Sequence, residues 1–443
     1  MFSNILFKIQ DKLKYLHENS LVLQNIDFFI LGSILAVFLS STSLSYDCIG
    51  FIALITMFLT FVKLITKKGE KFTFNSFEIF LVAYFMIVVI SLAGSTLFAL
   101  SLKGFLKTFV YIGFYFSTAH YLKNNLSKLP IIVGTIALCI GFEGIIAFLQ
   151  NFAHVEAIST WQDISHLNPE QVMTRVYGTL KPFNPNLLGG YFVAGIPALF
   201  AISAYYTFKK NYKRGIFSLG ISLAAVVGLF LTGCRGAYLA MLLIFGCTFL
   251  VSAKFFWNHY KKIYLAIIGG SIALFTSALL LISSLRARFC SIFAMRNDSS
   301  NSFRFNVYQS SLEMFKDNWL LGIGVGNKNF REIYGLYMKT GFDALSSYNV
   351  FLEIAVESGI FALIVFLGFL FVTTKDALEM ILKSIDYEKI IFVSMAIISI
   401  LAIMFHGFVD TVFFRPQIQF IFWTMVAIIS AYKNKTLKNI TNG

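Results

Sequence analysis

Charge is what this 443-residue sequence has least of: only 13% of its residues are Asp, Glu, Lys or Arg, against 57% hydrophobic residues and 51 Phe. A soluble globule needs roughly a quarter of its residues charged to cover its surface, so that class is excluded. A polytopic, all-α membrane protein remains. Cysteine is also scarce. Cys48, Cys139, Cys234, Cys247 and Cys290 show no CxxC spacing, and all but Cys290 fall in or beside apolar runs. They read as small apolar residues, so neither a disulfide framework, a metal site nor another cofactor is expected. Fixed-period repeats, low-complexity tracts and nucleic-acid modules are absent as well. The net charge of +14 comes from Lys placed at helix ends rather than in one patch, which favours contact with membrane lipids over nucleic acid.

What is present is a series of apolar runs. The amino terminus carries Lys8, Lys12 and Lys14, but the next run, about 26–45, is long enough to span and lacks a small-residue cleavage pattern, so it reads as a first membrane helix. Further runs lie near 48–66, 77–99, 104–122, 129–152, 186–208, 214–232, 235–253, 263–284, 348–373, 388–409 and 415–432. Each approaches the length needed to cross ~30 Å of hydrocarbon, which makes about twelve helices in a single transmembrane domain, 1–443. One long polar segment, 285–347, interrupts them between the ninth and tenth runs. It forms a large, partly helical loop.

Lysine sets the expected orientation. Lys63, Lys67, Lys68, Lys71, Lys209, Lys210, Lys254, Lys261, Lys262, Lys433 and their neighbours gather on the side of the amino terminus, so both termini are expected in the cytoplasm and the large loop outside. Arginine sorts the other way. Of nine Arg only Arg214 falls inside; Arg175, Arg235, Arg286, Arg288, Arg296, Arg304, Arg331 and Arg415 fall outside or at the outer edge. The planar Arg fork suits phosphate or carboxylate, so the asymmetry points to an outer anion site. The alternative for any one loop Arg is a plain pair with Asp298, Asp317 or Glu332.

Other polar residues carry paired readings. Arg235, in LTGCRGAYLA between two apolar runs, is either functional or snorkelling to headgroups. Intramembrane Glu143 is functional or satisfies a polar neighbour, and His154 reads as interfacial. Asn184 and Asn186, beside Pro182 and Pro185, read as caps of the next helix, whose outward start is also a ready anion site. A helix is expected over about 303–316. The GIGVG that follows lacks the Lys-Ser/Thr and the strand of a P-loop, so it reads as a turn. Asn349, Glu353 and Glu357 share one helical stripe at i+4 steps, beside Tyr348, and could bind a cation, a sugar hydroxyl or a proton. His406 and Asp410 are again i, i+4, just before Arg415: a base held by its carboxylate, or a buried polar staple.

LTGCRGAYLA, NSFRFNVYQ with NWLLGIGVGN, and YNVFLEIAVESGIFAL resemble blocks of the O-antigen ligase and polymerase superfamily of membrane glycosyltransferases. TRVYGTLKPFNPNLLGGY, FDALSSYNVFLEIAVESG and HGFVDTVFFRPQIQF resemble more narrowly its branch labelled inorganic-carbon, or bicarbonate, transporters. The resemblance covers about residues 174–419. It implies a GT-C-like ligase fold in the bacterial cytoplasmic (inner) membrane, and transfer of a glycan from an undecaprenyl-diphosphate carrier to a lipid, glycan or protein acceptor on the outer face. Arg235 and Arg304 would then contact the diphosphate, with Arg175, Arg286, Arg288, Asn349 and Arg415 as further binding candidates. Ligases typically place His where this chain has Tyr348. A tyrosine of pKa ~10 is a poor base, which leaves catalysis to His406 with Asp410, or to Glu353, or to a branch that does not ligate. The second functional reading is a small-anion transporter or accessory membrane protein.

Overall fold

The computed structural model describes residues 2–153 and 175–441, and among them every regular element is helical. In chain order these are α1 (Phe2–Asn19), α2 (Leu21–Gln24), α3 (Ile26–Ser40), α4 (Tyr46–Thr66), α5 (Ser76–Gly94), α6 (Phe98–Asn124), α7 (Leu129–Phe152) and α8 (Pro185–Phe208). Then come α9 (Tyr212–Leu231), α10 (Arg235–Leu281), α11 (Ser283–Cys290), α12 (Ser299–Asp317), α13 (Asn327–Tyr334), α14 (Val350–Lys383), α15 (Tyr387–His406) and α16 (Pro416–Thr441). Of the outer loop expected before α8, residues 154–174, His154 among them, lie outside the described residues.

Eight of these helices, α4, α5, α7, α8, α9, α10, α14 and α15, are long and apolar enough to cross a membrane by length and composition. The expected number was about twelve, and the four remaining runs can be located. One shares α10 with a run already counted, since that 47-residue element joins two helices, the second folded back so that Tyr264 donates to Phe249 O and Phe275 lies 6.0 Å from Phe230. The helix breaks at Tyr260 (φ −129°, ψ 28°), inside the basic stretch that includes Lys254, Lys261 and Lys262. The other three are α3, which has only 15 residues, and α6 and α16, which carry several charges.

Burial divides the helices into layers. α8 and α15 are almost wholly enclosed, and α8 packs on α7, α9 and α15, while α16 lies against α6 and α15. Small residues allow this close approach: a Cβ at Gly195 would meet Ile140, and one at Gly144 would lie 2.7 Å from the Ala225 Cα. The outer helices present Phe51, Phe58, Ile79, Ile216 and Leu274 outward. In water such a surface would aggregate, whereas against lipid tails it costs nothing.

The long polar segment has its own small core of Phe303, Val307, Met314, Ile323, Phe330, Tyr334, Ala344 and Val356. The helix expected at about 303–316 is α12, capped by Asp298, which accepts from Asn301 N at 2.9 Å. The GIGVG stretch is a turn, with Gly322, Gly324 and Gly326 all at positive φ. It docks on a break in α14. Ile323 N donates to Val356 O (3.0 Å), Gly324 N to Glu357 O (2.9 Å) and Ile360 N to Trp319 O (2.9 Å). Gly359, at φ 80° and ψ 176°, makes the break, so the expected span 348–373 is divided into a short helical stretch before it and a longer one from Ile360.

Gly359→Ala is expected to destabilise the protein by roughly 3 kcal/mol or more, because its Cβ would sit 2.1 Å from Leu320 O at a φ that only glycine adopts freely. Gly220→Ala, on α9 with open space around it, is expected to be near neutral. Thermal unfolding of the two purified variants in detergent checks the contrast; equal melting temperatures would contradict the role given to the break.

Candidate functional site

Three helix starts converge at one end of the bundle, beside the polar segment. α8 begins at Pro185, where Asn184 caps it by accepting from Asn186 N (2.7 Å) and Leu187 N (3.4 Å). α10 begins at Arg235, after a tight turn in which Gly233 takes φ 62° and Thr232 Oγ1 accepts from Cys234 N at 3.2 Å. α12 begins at Ser299. The amino-terminal ends of all three helices therefore direct partial positive charge at the same place.

That place is a cleft with an empty volume of about 290 Å³, lined by Arg175, Asn186, Cys234, Arg235, Gly236, Arg288, Ser300, Arg304, His406, Val409 and Asp410. Four guanidinium groups thus share one cleft. Arg235 pairs with Asp298 at 2.8 Å and donates to Ser291 O (3.2 Å) and Ser291 Oγ (3.1 Å), and it is 7% exposed. Arg175 donates from Nε to Thr232 O (2.7 Å) and from Nη2 to Asn186 Oδ1 (2.5 Å). Arg288 Nε donates to Gly233 O at 2.9 Å. Arg304 lies 3.5 Å from Asp410 Oδ2 and donates to Ser300 Oγ at 3.4 Å, with its guanidinium 5.7 Å above the Tyr348 ring. The two carboxylates, Asp298 and Asp410, leave the four cations in excess.

Electrostatics reflect that excess. Burial, followed by the neighbouring Arg175 charge, pulls the Arg288 guanidinium down to about 10, and burial likewise lowers Arg175. Two polar nitrogens in this cleft, Arg235 Nη2 and Arg304 Nε, are buried without a hydrogen-bond partner. Buried guanidinium nitrogens without partners are costly, and an anion with several oxygens would satisfy them. Next to the cleft, sharing Arg235, Gly236, Arg304 and Val409, is a mainly apolar cavity of about 700 Å³ walled by Leu239, Ile292, Met295, Phe305, Tyr308 and Phe408.

The other expected residues divide by position. Arg286 is exposed and donates to Leu280 O, and Arg415 lies over the Tyr46 ring at 5.9 Å; neither lines the cleft. Asn349 is occupied as the cap of α14, accepting from Phe351 N (2.9 Å) and Leu352 N (3.0 Å) and donating to Phe408 O (3.1 Å). Glu353 Oε2 accepts from Ser347 N (2.5 Å) and Glu357 Oε1 from Gly326 N (2.8 Å). The carboxylate stripe therefore holds the polar segment in place and does not face the arginines. Tyr348, at φ 55°, packs edge-on against Phe303 and lines neither cavity.

The His406 and Asp410 pair is rearranged. α15 ends at His406, so the i, i+4 geometry of a continuous helix is lost. Asp410 accepts from Thr411 N (2.8 Å), Val412 N (3.2 Å) and Asn186 Nδ2 (3.0 Å), while His406 Nε2 faces Cys234 Sγ at 3.5 Å. Both side chains still reach the cleft. Arg331 does form a plain pair, though with Asp343 (2.7 Å) and not with Asp298, Asp317 or Glu332, and Glu143 satisfies a neighbour by accepting from Thr179 N at 2.9 Å. Asn186, Cys234, Ser291 and Ser300 were not anticipated as site residues. Asn186 was read only as a cap, yet its side chain bridges Arg175 and Asp410. Cys234 sits beside Arg235 in the motif itself, which was the one available signal.

Comparison with known families gives one finding: a family model described as O-antigen ligase matches residues 220–367. The matched stretch, about a third of the chain, contains Cys234, Arg235, Arg288, Arg304 and Tyr348, while Arg175, Asn186, His406 and Asp410 lie outside it. It supports kinship with the O-antigen ligase and polymerase superfamily, not with the bicarbonate-transporter branch. No match was found among curated proteins.

Proposed function

We propose that this protein is an O-antigen ligase-like glycosyltransferase of the bacterial cytoplasmic membrane that moves a glycan from an undecaprenyl-diphosphate carrier to an acceptor on the outer face. The observation that carries this reading is the excess of buried guanidinium charge in a cleft at the helix starts, with Arg235 Nη2 and Arg304 Nε unpartnered. A diphosphate matches it in charge and in number of acceptor oxygens. The adjoining apolar cavity suits the first isoprene units of the carrier. In this topology both termini are cytoplasmic and residues 285–347 form the outer segment, in line with the Lys and Arg asymmetry.

The chemistry is a substitution at the anomeric carbon. The bond from that carbon to the diphosphate oxygen breaks, and the leaving group departs with the electron pair. Arg235 and Arg304 take up the charge that develops on it, which is a preorganised form of stabilisation. An acceptor hydroxyl attacks the same carbon and gives its proton to His406, the imidazole lining the cleft. Asp410 orients Arg304 and Asn186, and Glu353 and Glu357 hold the segment that closes the site.

Surface glycans of a deletion strain and its complemented partner, with undecaprenyl-linked intermediates measured in the same membranes, test this reading. Accumulation of carrier-linked glycan with loss of mature polymer or conjugate is expected. Unchanged glycans and carriers would overturn it.

A further inference from the structure

We propose that Cys234 is a thiol modification site for small anionic electrophiles, and that an adduct on its sulfur fills the arginine cleft. Cys234 is the N-cap residue of α10, so the thiolate would sit at the positive end of the helix that runs from Arg235 to the break at Tyr260. Its Sγ is 3.5 Å from His406 Nε2, close enough for the imidazole to take the thiol proton. Arg175, Arg288 and Arg304 line the same cleft, and the nine-tenths-buried Arg235 contributes its unpartnered Nη2 there. Together they draw negatively charged reagents to the sulfur and hold them.

Packing decides where an adduct can go. A Cβ at Gly189 would lie 2.8 Å from the Cys234 Cβ and 3.3 Å from its Sγ, and one at Gly236 would lie 3.0 Å from His406 Nε2. The helices therefore close around the thiol and imidazole from behind. The arginine-lined cleft is the side left for an adduct. The other cysteines differ: Cys139 is buried and donates to Phe38 O at 3.6 Å, while Cys48, Cys247 and Cys290 line neither this cleft nor its apolar neighbour.

With a thiosulfonate the step balances as follows. The Cys234 thiolate attacks the sulfenyl sulfur, a disulfide bond forms, and the sulfinate leaves with the electron pair while His406 keeps the thiol proton. A small anionic disulfide reacts in the same way and releases a thiolate. A later thiol reverses either adduct. Only the consequence for activity, loss of glycan transfer, rests on the proposed function.

The experiment uses the full chain in membrane vesicles, in a variant with Cys48, Cys139, Cys247 and Cys290 replaced by Ser. It compares 2-sulfonatoethyl methanethiosulfonate with its trimethylammonioethyl analogue by mass shift of the intact protein, and the wild-type chain is mapped by peptide mass in case the variant folds poorly. Labelling of Cys234 by the anionic reagent is expected to be about ten-fold or more faster than by the cationic one, equivalent to ~1.4 kcal/mol. A free thiolate in solution would favour the cation. Faster labelling by the cationic reagent, equal rates, or labelling only after denaturation would overturn the proposal. Inorganic pyrophosphate is expected to slow the reaction. Anion-selective labelling without pyrophosphate protection would support the thiol site while counting against the diphosphate reading, so the two failures are distinguishable.

Discussion

Arg304→Ala is expected to lower glycan transfer by roughly 10²–10³-fold while leaving the protein in the membrane at normal abundance, an effect of the size seen when one preorganised donor to a developing oxyanion is removed. Arg304 is the cleanest arginine to test, because its contacts within the protein are long. Its contact with Asp410 is long, at 3.5 Å, its Nε has no partner among the described residues, and it also makes a 3.4 Å bond to Ser300 and lies over the Tyr348 ring. Arg235→Ala should lose as much activity, but it also strands buried Asp298, so part of its effect would be structural. Arg235→Lys separates the two: the ammonium can still meet Asp298, yet it lacks the second arm that would reach the ligand. Accumulation of carrier-linked glycan, read together with the amount of protein in the membrane, is the measurement. Full transfer by both alanine variants would refute the diphosphate assignment.

The helical membrane class was legible because it rests on composition and run length, quantities that tertiary packing does not alter. α10 follows the same logic. Hydropathy divides it into two runs at the basic stretch, and the backbone breaks there too, at Tyr260, so that Tyr264 donates to Phe249 O and the Phe275 ring comes within 6.0 Å of Phe230. The gathering of arginines was legible in kind, since Arg175, Arg235, Arg288 and Arg304 do meet, but Arg286 and Arg415 have the same chemistry and lie elsewhere. Residue type says what a side chain can bind; only the fold says which way it faces. The two i, i+4 readings fared differently. α15 ends at His406, so that pair loses its helical spacing and His406 turns to Cys234, whereas Glu353 and Glu357 keep theirs on the stretch of α14 before Gly359 and accept from the backbone of the polar segment.

That rearrangement sets the second large prediction: His406→Ala should reduce transfer by about 10²-fold or more, while Tyr348→Phe should change it little. Tyr348 lies just before the Asn349 cap of α14, where ligases typically carry His, but its ring packs on Phe303 and under Arg304, its backbone takes the left-handed φ of 55°, and it lines neither cavity. Removing its hydroxyl leaves that packing intact. His406 lines the arginine cleft and is 3% exposed, held between Cys234 and the turn that leads to Asp410. A general base must be unprotonated to act, so the wild-type rate should fall as the pH is lowered through the range in which an imidazole takes up its proton. The residual rate of His406→Ala should lose that acid limb. Asp410→Asn, by contrast, should keep the limb and lose rate, because it removes the charge that steers Arg304 without touching the base. If His406→Ala and Tyr348→Phe are tolerated equally, or if the acid limb survives without the imidazole, His406 is not the base and the acceptor proton leaves by another route.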